Sequence, residues 1–565
     1  MNIIRNKKKT AGVVTISVVL FVFHVLFADI FFESNDDTVM NLMAVDAYGY
    51  SQTQYLVYIN IVLGWMIRSV YAILPGTNVY LWMFLLLNFI SITVICLIIT
   101  DPLDEAMSCV LTVIVSWVLA KDYYVAIQFT KSAPLYISAG CLILYHLFQT
   151  ASRRLLSYVA AGFLICIGFM VRHSVMPALF PFFVLAIARL IVEKKTGPGR
   201  LWIICTVVIT LIACVCYAAN AVAYSSEEWS SFNRWNYLRS EIVDYGPINY
   251  YIAPDQFREA GISEIQIGML AMGMTNDPDV FTEDFMQTVR DIVVDVRDQR
   301  LRMNAKVLTG SVQWMLNAIS GKMIPLVFLV LLLIILIRGD RTDAYLFSSF
   351  MFLIWLQYYY LTCLGRVIWR AEIAVWIFPT LMALYTVLRW IRRQAESKEI
   401  KRVQDFKGIV VSVLSILLIL LSLISVFREQ KGGHIFKEAD FESETIALIR
   451  NAGYGFMAAG GFYFSGNCGA ENIFSIDKRY TDYYVNTAYI GGWPVPSPVS
   501  SVKQREYGIE NLFRALYERD DVCLITDEDH AQIMKIYLQV QYEPEVQMEQ
   551  INEVNGVQIW KYHIE

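Results

Sequence analysis

Apolar positions along the 565-residue chain are concentrated in blocks of roughly the length that crosses a bilayer as a helix, about 17 to 25 residues. Spans are predicted near 11–31, 80–100, 106–120, 135–150, 157–171, 175–192, 201–223, 323–337, 344–361, 371–388 and 408–427. The block Tyr55 to Leu74 is different. It is apolar, yet it carries Asn60 and Arg68 and runs straight into Pro75, Gly76, Thr77 and Asn78. After residue 428 the pattern changes to short alternating and amphipathic stretches. Asp521 to Asp527 (DVCLITD) and Val557 to Ile564 (VQIWKYHI) predict strands, and 441–452, 506–519 and 528–541 predict helices. The run GGWPVPSPVSS (491–501) is a Pro/Ser/Gly loop within this small α/β unit.

Composition agrees with hydrocarbon as the main solvent: 56% of residues are hydrophobic and 17% charged. A net charge of -5 offers no basic surface for nucleic acid. Lys7, Lys8 and Lys9 before the apolar run Ala11 to Phe31 lay out charge as a signal peptide does. The length of that run and the lack of a small-x-small cleavage site predict an uncleaved anchor.

Short cytoplasmic loops collect Lys and Arg, so the basic residues choose between topologies. If 55–74 does not span, nineteen basic residues lie inside and six (Arg68, Lys121, Lys131, Arg172, Arg366, Arg370) lie in short external segments. If it spans, the later loops invert, with fifteen outside and nine inside. The first arrangement predicts 55–74 as an amphipathic surface element, eleven crossings of the cytoplasmic membrane, an internal N-terminus and an external C-terminus. Three external regions follow, near 32–79, 224–322 and 428–565.

Eight of the ten cysteines lie in or beside apolar blocks, leaving Cys468 and Cys523 as a candidate disulfide pair. No CxxC or HExxH pattern signals a zinc site.

The sharpest chemical signal is ESNDDTVM, Glu33 to Met40, just outside the first span. Asp36 and Asp37 could simply cap a helix beginning near Thr38, or one could be the general base that takes a proton from an acceptor hydroxyl attacking a sugar C1. A glycosyl phosphate carries a good leaving group, so one base and cations for the phosphate suffice without a second, acidic carboxyl. Candidate cations share that face: Arg366 and Arg370 in GRVIWR, Lys131 in QFTKSA, and Arg172 with His173 in MVRHS. Singly each is as well explained as an interfacial anchor. The four-residue spacing of Arg366 and Arg370 would put both on one helix face, able to fork a phosphate. Asp122, beside Lys121, either pairs with a lysine or ligates a divalent cation, magnesium or manganese, bridging the phosphate.

An uncleaved first span, the acidic pair Asp36–Asp37, an aromatic amphipathic stretch (YLVYINIVLGWMIRSVYAILP) and a second span together resemble the GT-C superfamily of integral-membrane glycosyltransferases, such as protein O-mannosyltransferases and aminoarabinose transferases. QFTKSA, MVRHS and GRVIWR are similar to segments of bacterial members of that group. SQTQ (Ser51 to Gln54) stands where many relatives have a Pro-containing turn. The resemblance covers roughly 1–430 and leaves 431–565 as a separate α/β domain. It implies a polyprenyl-phosphate sugar donor, a glycan, lipid or protein acceptor, inverting transfer in cell-envelope glycan assembly, and a base at Asp36 or Asp37. The rival reading is a lipid-linked glycan transporter or flippase. Against it stand the absence of matching halves with broken spans and the collection of ionisable residues on one face.

Overall fold

The computed structural model describes residues 7–45, 52–193, 199–301, 305–396, 456–459, 473–476, 486–554 and 557–565. The chain is a polytopic α-helical membrane protein with a small sheet unit at its C-terminal end. Helix α1 (Lys7–Phe27) is followed by strand β1 (Phe31–Phe32) and helices α2 (Asn35–Val45) and α3 (Ile61–Ile73). The bundle continues through α4 (Val79–Ile99), α5 (Glu105–Ala120), a π-helical turn at Lys121–Val125, β2 (Ala126–Ile127), α6 (Phe129–Thr150), α7 (Leu155–Arg172), α8 (Met176–Val192) and α9 (Arg200–Ala223). After an interposed unit of α10 (Glu227–Arg239), α11 (Pro254–Glu259), α12 (Glu264–Ala271) and α13 (Glu283–Leu301) come α14 (Ala305–Gly321), α15 (Met323–Arg338), α16 (Arg341–Cys363) and α17 (Trp369–Glu396).

Seven helical stretches among the described residues are long and apolar enough to cross a bilayer, or eight if α14 and α15, bent by 97°, form one span. That is fewer than the expected eleven, and packing explains much of the difference. α7 and α8 enter the count as one 38-residue stretch, but Arg172 breaks the helix at φ -159°, ψ 87°. A Cβ on Gly140 would meet Ala161 and Ile165, and one on Gly168 would meet Ala133 and Ile137, so α7 runs against α6. Met176 to Phe183 instead line a crevice with Ile137, Ser138 and Cys141, so α8 runs back alongside α6. The two are a hairpin. α6 itself is buried over nearly its whole length, which lets it carry Lys131 and His146 without facing lipid. The span expected at 408–427 lies outside the described residues.

α3 is too short to cross. Its 13 residues reach about 20 Å at 1.5 Å each, against a hydrocarbon core of about 30 Å. Asn60 caps it by accepting from Val62 N–H, and its amide donates to the Cys216 carbonyl of α9. α14 meets α15 near a right angle at Lys322, at the end of the expected external region 224–322.

The C-terminal unit is a five-stranded sheet in the order β4-β3-β5-β7-β6, with β3 (Phe456–Ala459), β4 (Thr487–Tyr489), β5 (Val522–Ile525), β6 (Val546–Val554) and β7 (Val557–Ile564). β3 pairs parallel with β4 and β5, whereas β7 pairs antiparallel with β5 and β6. Helices α18 (Ser501–Glu506), α19 (Leu512–Glu518) and α20 (Glu528–Gln541) complete it. Its core is continuous with the unit formed by α10–α13: Trp235, Phe257, Phe281 and Val289 bury with Leu512, Phe513, Tyr537 and Trp560. Asp277, fully buried, accepts from Asn511, Tyr537 and Tyr542 across that contact. Cys523 lies buried in β5, and Cys468 lies outside the described residues.

Candidate active site at one end of the helix bundle

β1 pairs in parallel with β2, and Glu33 N–H donates to the Ile127 carbonyl at 2.9 Å. This short ladder docks the first loop onto the segment after α5. α2 then starts at Asn35, so Asp36 and Asp37 sit in its first turn, where the helix dipole favours negative charge.

The two acids have different surroundings. Asp37 is fully buried and accepts from Ser34 Oγ (2.9 Å), Tyr80 OH (3.0 Å) and Phe129 N–H (3.0 Å). Burial pushes its carboxyl up to about 7, against the pull of those donors. Asp36 keeps 16% of its side chain exposed and pairs with Arg370 at 3.2 Å. Burial raises it too, while Arg370 and then Arg172 draw it back.

Arg370 opens α17, but Arg366 does not share a helix face with it, contrary to the expectation from their spacing. Gly365 at φ 67° ends the preceding helix, and α17 begins only at Trp369, so no helical turn joins the two arginines. Arg366 reaches instead to Asp244 at 3.3 Å and lies over the Tyr245 ring. Arg239 also holds Asp244, at 3.2 Å. Asp36 and Asp244 therefore face each other through three arginines. Arg172 stands over the stacked rings of Tyr58 (5.1 Å) and Phe129 (5.2 Å). Val57, just before Tyr58, has φ 61°, a strained conformation for a β-branched residue.

Lys131 lies deeper. Its ammonium is fully buried between Glu33 (2.5 Å) and Asp122 (3.1 Å), and Asp122 also accepts from Trp369 Nε1 at 2.8 Å. Asp122 Oδ1 thus carries both donors, and no group of three His, Cys, Asp or Glu that could hold a metal ion occurs among the described residues. The surroundings of Asp122 do not make a metal-ion donor set. His173 is exposed and packs edgewise on Tyr217 and at a tilt on Phe169, away from the acids.

Several site residues were not singled out in the sequence. Asp244, Arg239 and Tyr58 arrive from distant segments, and Lys322 sits at the α14–α15 bend with its ammonium 5.1 Å from the Trp369 ring centroid. Lys322 had a local signal, a cation directly before an apolar run, and Tyr58 lay within the aromatic stretch that begins at Tyr55. Two of the basic residues assigned to the other face have partners far from this layer: Arg189 pairs with Asp343, and Lys9 donates to the carbonyls of Asp101 and Leu103.

Asp36 and Asp244 thus lie in a layer of arginines at one end of an apolar helix bundle. Two solved structures are similar to the chain over most of its length. One is the oligosaccharyltransferase of Archaeoglobus fulgidus in its apo form (TM-score 0.45, 11% identity, 94% of this chain and 71% of that one). The other is ArnT of Cupriavidus metallidurans bound to undecaprenyl phosphate (TM-score 0.37, 10% identity, 96% and 97%). No protein-family model matches the sequence, nor does any curated protein.

Proposed function

We propose that the chain is an inverting glycosyltransferase that moves a sugar from a polyprenyl-phosphate donor to an acceptor hydroxyl on the extracytoplasmic face of the cell membrane. The observation that carries this reading is Asp36, a partly accessible carboxylate held by Arg370 beside Arg172 and within the layer that includes Arg366. Asp36 takes the proton of the acceptor O–H while that oxygen bonds to sugar C1. The C1–O bond to phosphate breaks, and its electron pair leaves on the polyprenyl phosphate. A single displacement inverts C1. Arg370 and Arg366 hold the departing phosphate by charge-assisted hydrogen bonds, and Arg370 passes between Asp36 and the phosphate as the site fills. Asp37 positions this turn, and the Lys131–Glu33–Asp122 cluster fixes the loop behind it.

The test is to incubate purified protein in lipid nanodiscs with a panel of polyprenyl-phosphate sugars and follow release of polyprenyl phosphate. Asp36→Asn should lower turnover by about 10²- to 10⁴-fold, the usual worth of a general base, with donor binding retained. Arg370→Ala should raise the donor KM by roughly ten- to a hundredfold, for one charge-assisted contact. Turnover near wild type in the Asp36→Asn/Asp37→Asn double variant would sink the assignment.

A further inference from the structure

The tail reaches the site through the loop after β4. Gly492 N–H donates to the Gly273 carbonyl at 2.7 Å, and Asn276 bonds to the carbonyls of Tyr489 and Ile490. Gly491 packs so tightly on Gly273 that no Cβ fits between them. This interlock seats Trp493 against Tyr58, with ring centroids 4.7 Å apart and planes inclined by 50°.

Two N–H donors around the Tyr58 ring have no acceptor among the described residues. One is Nε1 of Trp493, a residue only 5% exposed, and the other is Nε of Arg172, whose guanidinium stands over the same ring. Buried donors are costly to leave unmade and are kept where a ligand completes them. The strained Val57 beside Tyr58 points the same way, since backbone strain concentrates at ligand sites. Asp36 lies near enough to act electrostatically on both Tyr58 and Arg172.

We infer that Tyr58, Arg172 and the tail's Trp493 form the acceptor subsite, and that it takes a carbohydrate ring. A sugar ring offers apolar C–H faces to aromatic rings and hydroxyl oxygens to N–H donors, the two features combined here beside the proposed base. A phosphate would be matched by the cations alone, without need of the two aromatic planes. The inference rests on the glycosyl-transfer reading, and it makes the C-terminal unit part of the specificity machinery.

The test separates the two. Wild-type protein and Trp493→Phe, which keeps an aromatic ring but loses the N–H, are supplied with the donor found above. Each is assayed with water alone and with methyl glucoside, methyl mannoside, N-acetylglucosamine or a Ser/Thr peptide as acceptor probe. The expected result is saccharide-dependent turnover above hydrolysis in the wild type. Trp493→Phe should then show a three- to tenfold higher half-saturating saccharide concentration, about the loss of one neutral hydrogen bond, each curve being read relative to that protein's own rate with water alone. Unaltered saccharide dependence in Trp493→Phe overturns the subsite while leaving the proposed function standing. Stimulation by the peptide and by no saccharide overturns the carbohydrate class. Absence of donor turnover by the wild type with water and with every acceptor probe defeats the underlying reading, and this inference with it.

Discussion

Adjacent carboxylates compete for ionisation, and at Asp36 and Asp37 burial decides the competition. Asp37 holds its proton up to about pH 7 while Asp36 faces Arg370 and Arg172. A proton on Asp37 removes the like charge beside Asp36, the carboxyl that faces the arginines. The raised pKa of Asp37 also has a stability consequence. Between the unfolded value near 3.8 and about 7 the folded chain binds the extra proton. The stabilisation is fully present below about pH 4 and is lost as pH rises through 7. Asn imitates the protonated acid, since its carbonyl accepts from Tyr80 and Phe129 and its amide can donate to Ser34 once that hydroxyl rotates. Asp37→Asn should keep most activity and flatten the decline in thermal stability between pH 5 and 8, as read from melting curves across that range. A decline as steep as the wild type's would show that Asp37 is ionised in the folded chain. Asp37→Ala orphans three donors and should cost about 3 kcal/mol or more, at 1–3 for each.

Between elements, the Lys131 ammonium ties β1–α2, the π-helical turn and the start of α17 through Glu33, Asp122 and Trp369. Removing one partner of a buried ion cluster leaves the others unpaired and costs about 3–5 kcal/mol. Lys131→Met should therefore lower the melting temperature and reduce activity at every donor concentration. A variant that melts as the wild type does but needs far more donor would mean that Lys131 binds phosphate instead. Lys131 was visible in the sequence as a cation at a span end, and Asp122 as an acid that either pairs with a lysine or holds a metal. The pair it makes with Lys131 is the first of these, whereas Glu33 was not legible as a partner because the β1–β2 ladder brings it there. Local periodicity served well where elements are self-contained: α20 and β7 begin and end at the expected residues. It failed for Arg366 and Arg370 because Gly365 breaks the helix that their spacing presupposed. β6 was hidden because its run (VQMEQINEV) is largely polar and its register slips between Gln550 and Asn552, although the Asn-Gly pair that follows is a hairpin signal. α14 shows helical spacing in its buried residues Val307, Ser311, Met315 and Ala318. It was missed because it lies across α15 and adds no separate span-length block.

For the whole molecule, the C-terminal unit and the α10–α13 unit act as one body clamped over the site, and the clamp closes through backbone. Segment 473–476 anchors its outer side, with Asn78 Nδ2 donating to the Ile473 carbonyl and Ile476 N–H donating to the Gly76 carbonyl. The inner side depends on Gly491. A Cβ there would stand 1.6 Å from the Gly273 carbonyl oxygen and 2.8 Å from Met274 Cα, both backbone atoms that no side-chain rotation can clear. Gly491→Ala must therefore part the two segments and weaken Trp493's seat on Tyr58. An overpacked contact of this kind costs about 1–3 kcal/mol, too little to unfold a core that spans both units but enough to open one loop. The expected outcome is faster hydrogen exchange at 486–500 and 270–276, with exchange in α4, α6 and α17 unchanged. If Trp493 completes the acceptor subsite, the same variant loses acceptor-dependent transfer while hydrolysis of the donor by water continues. Exchange at 486–500 as slow as in the wild type would mean that the loop is held by something other than this backbone contact, and the clamp as described here would be wrong.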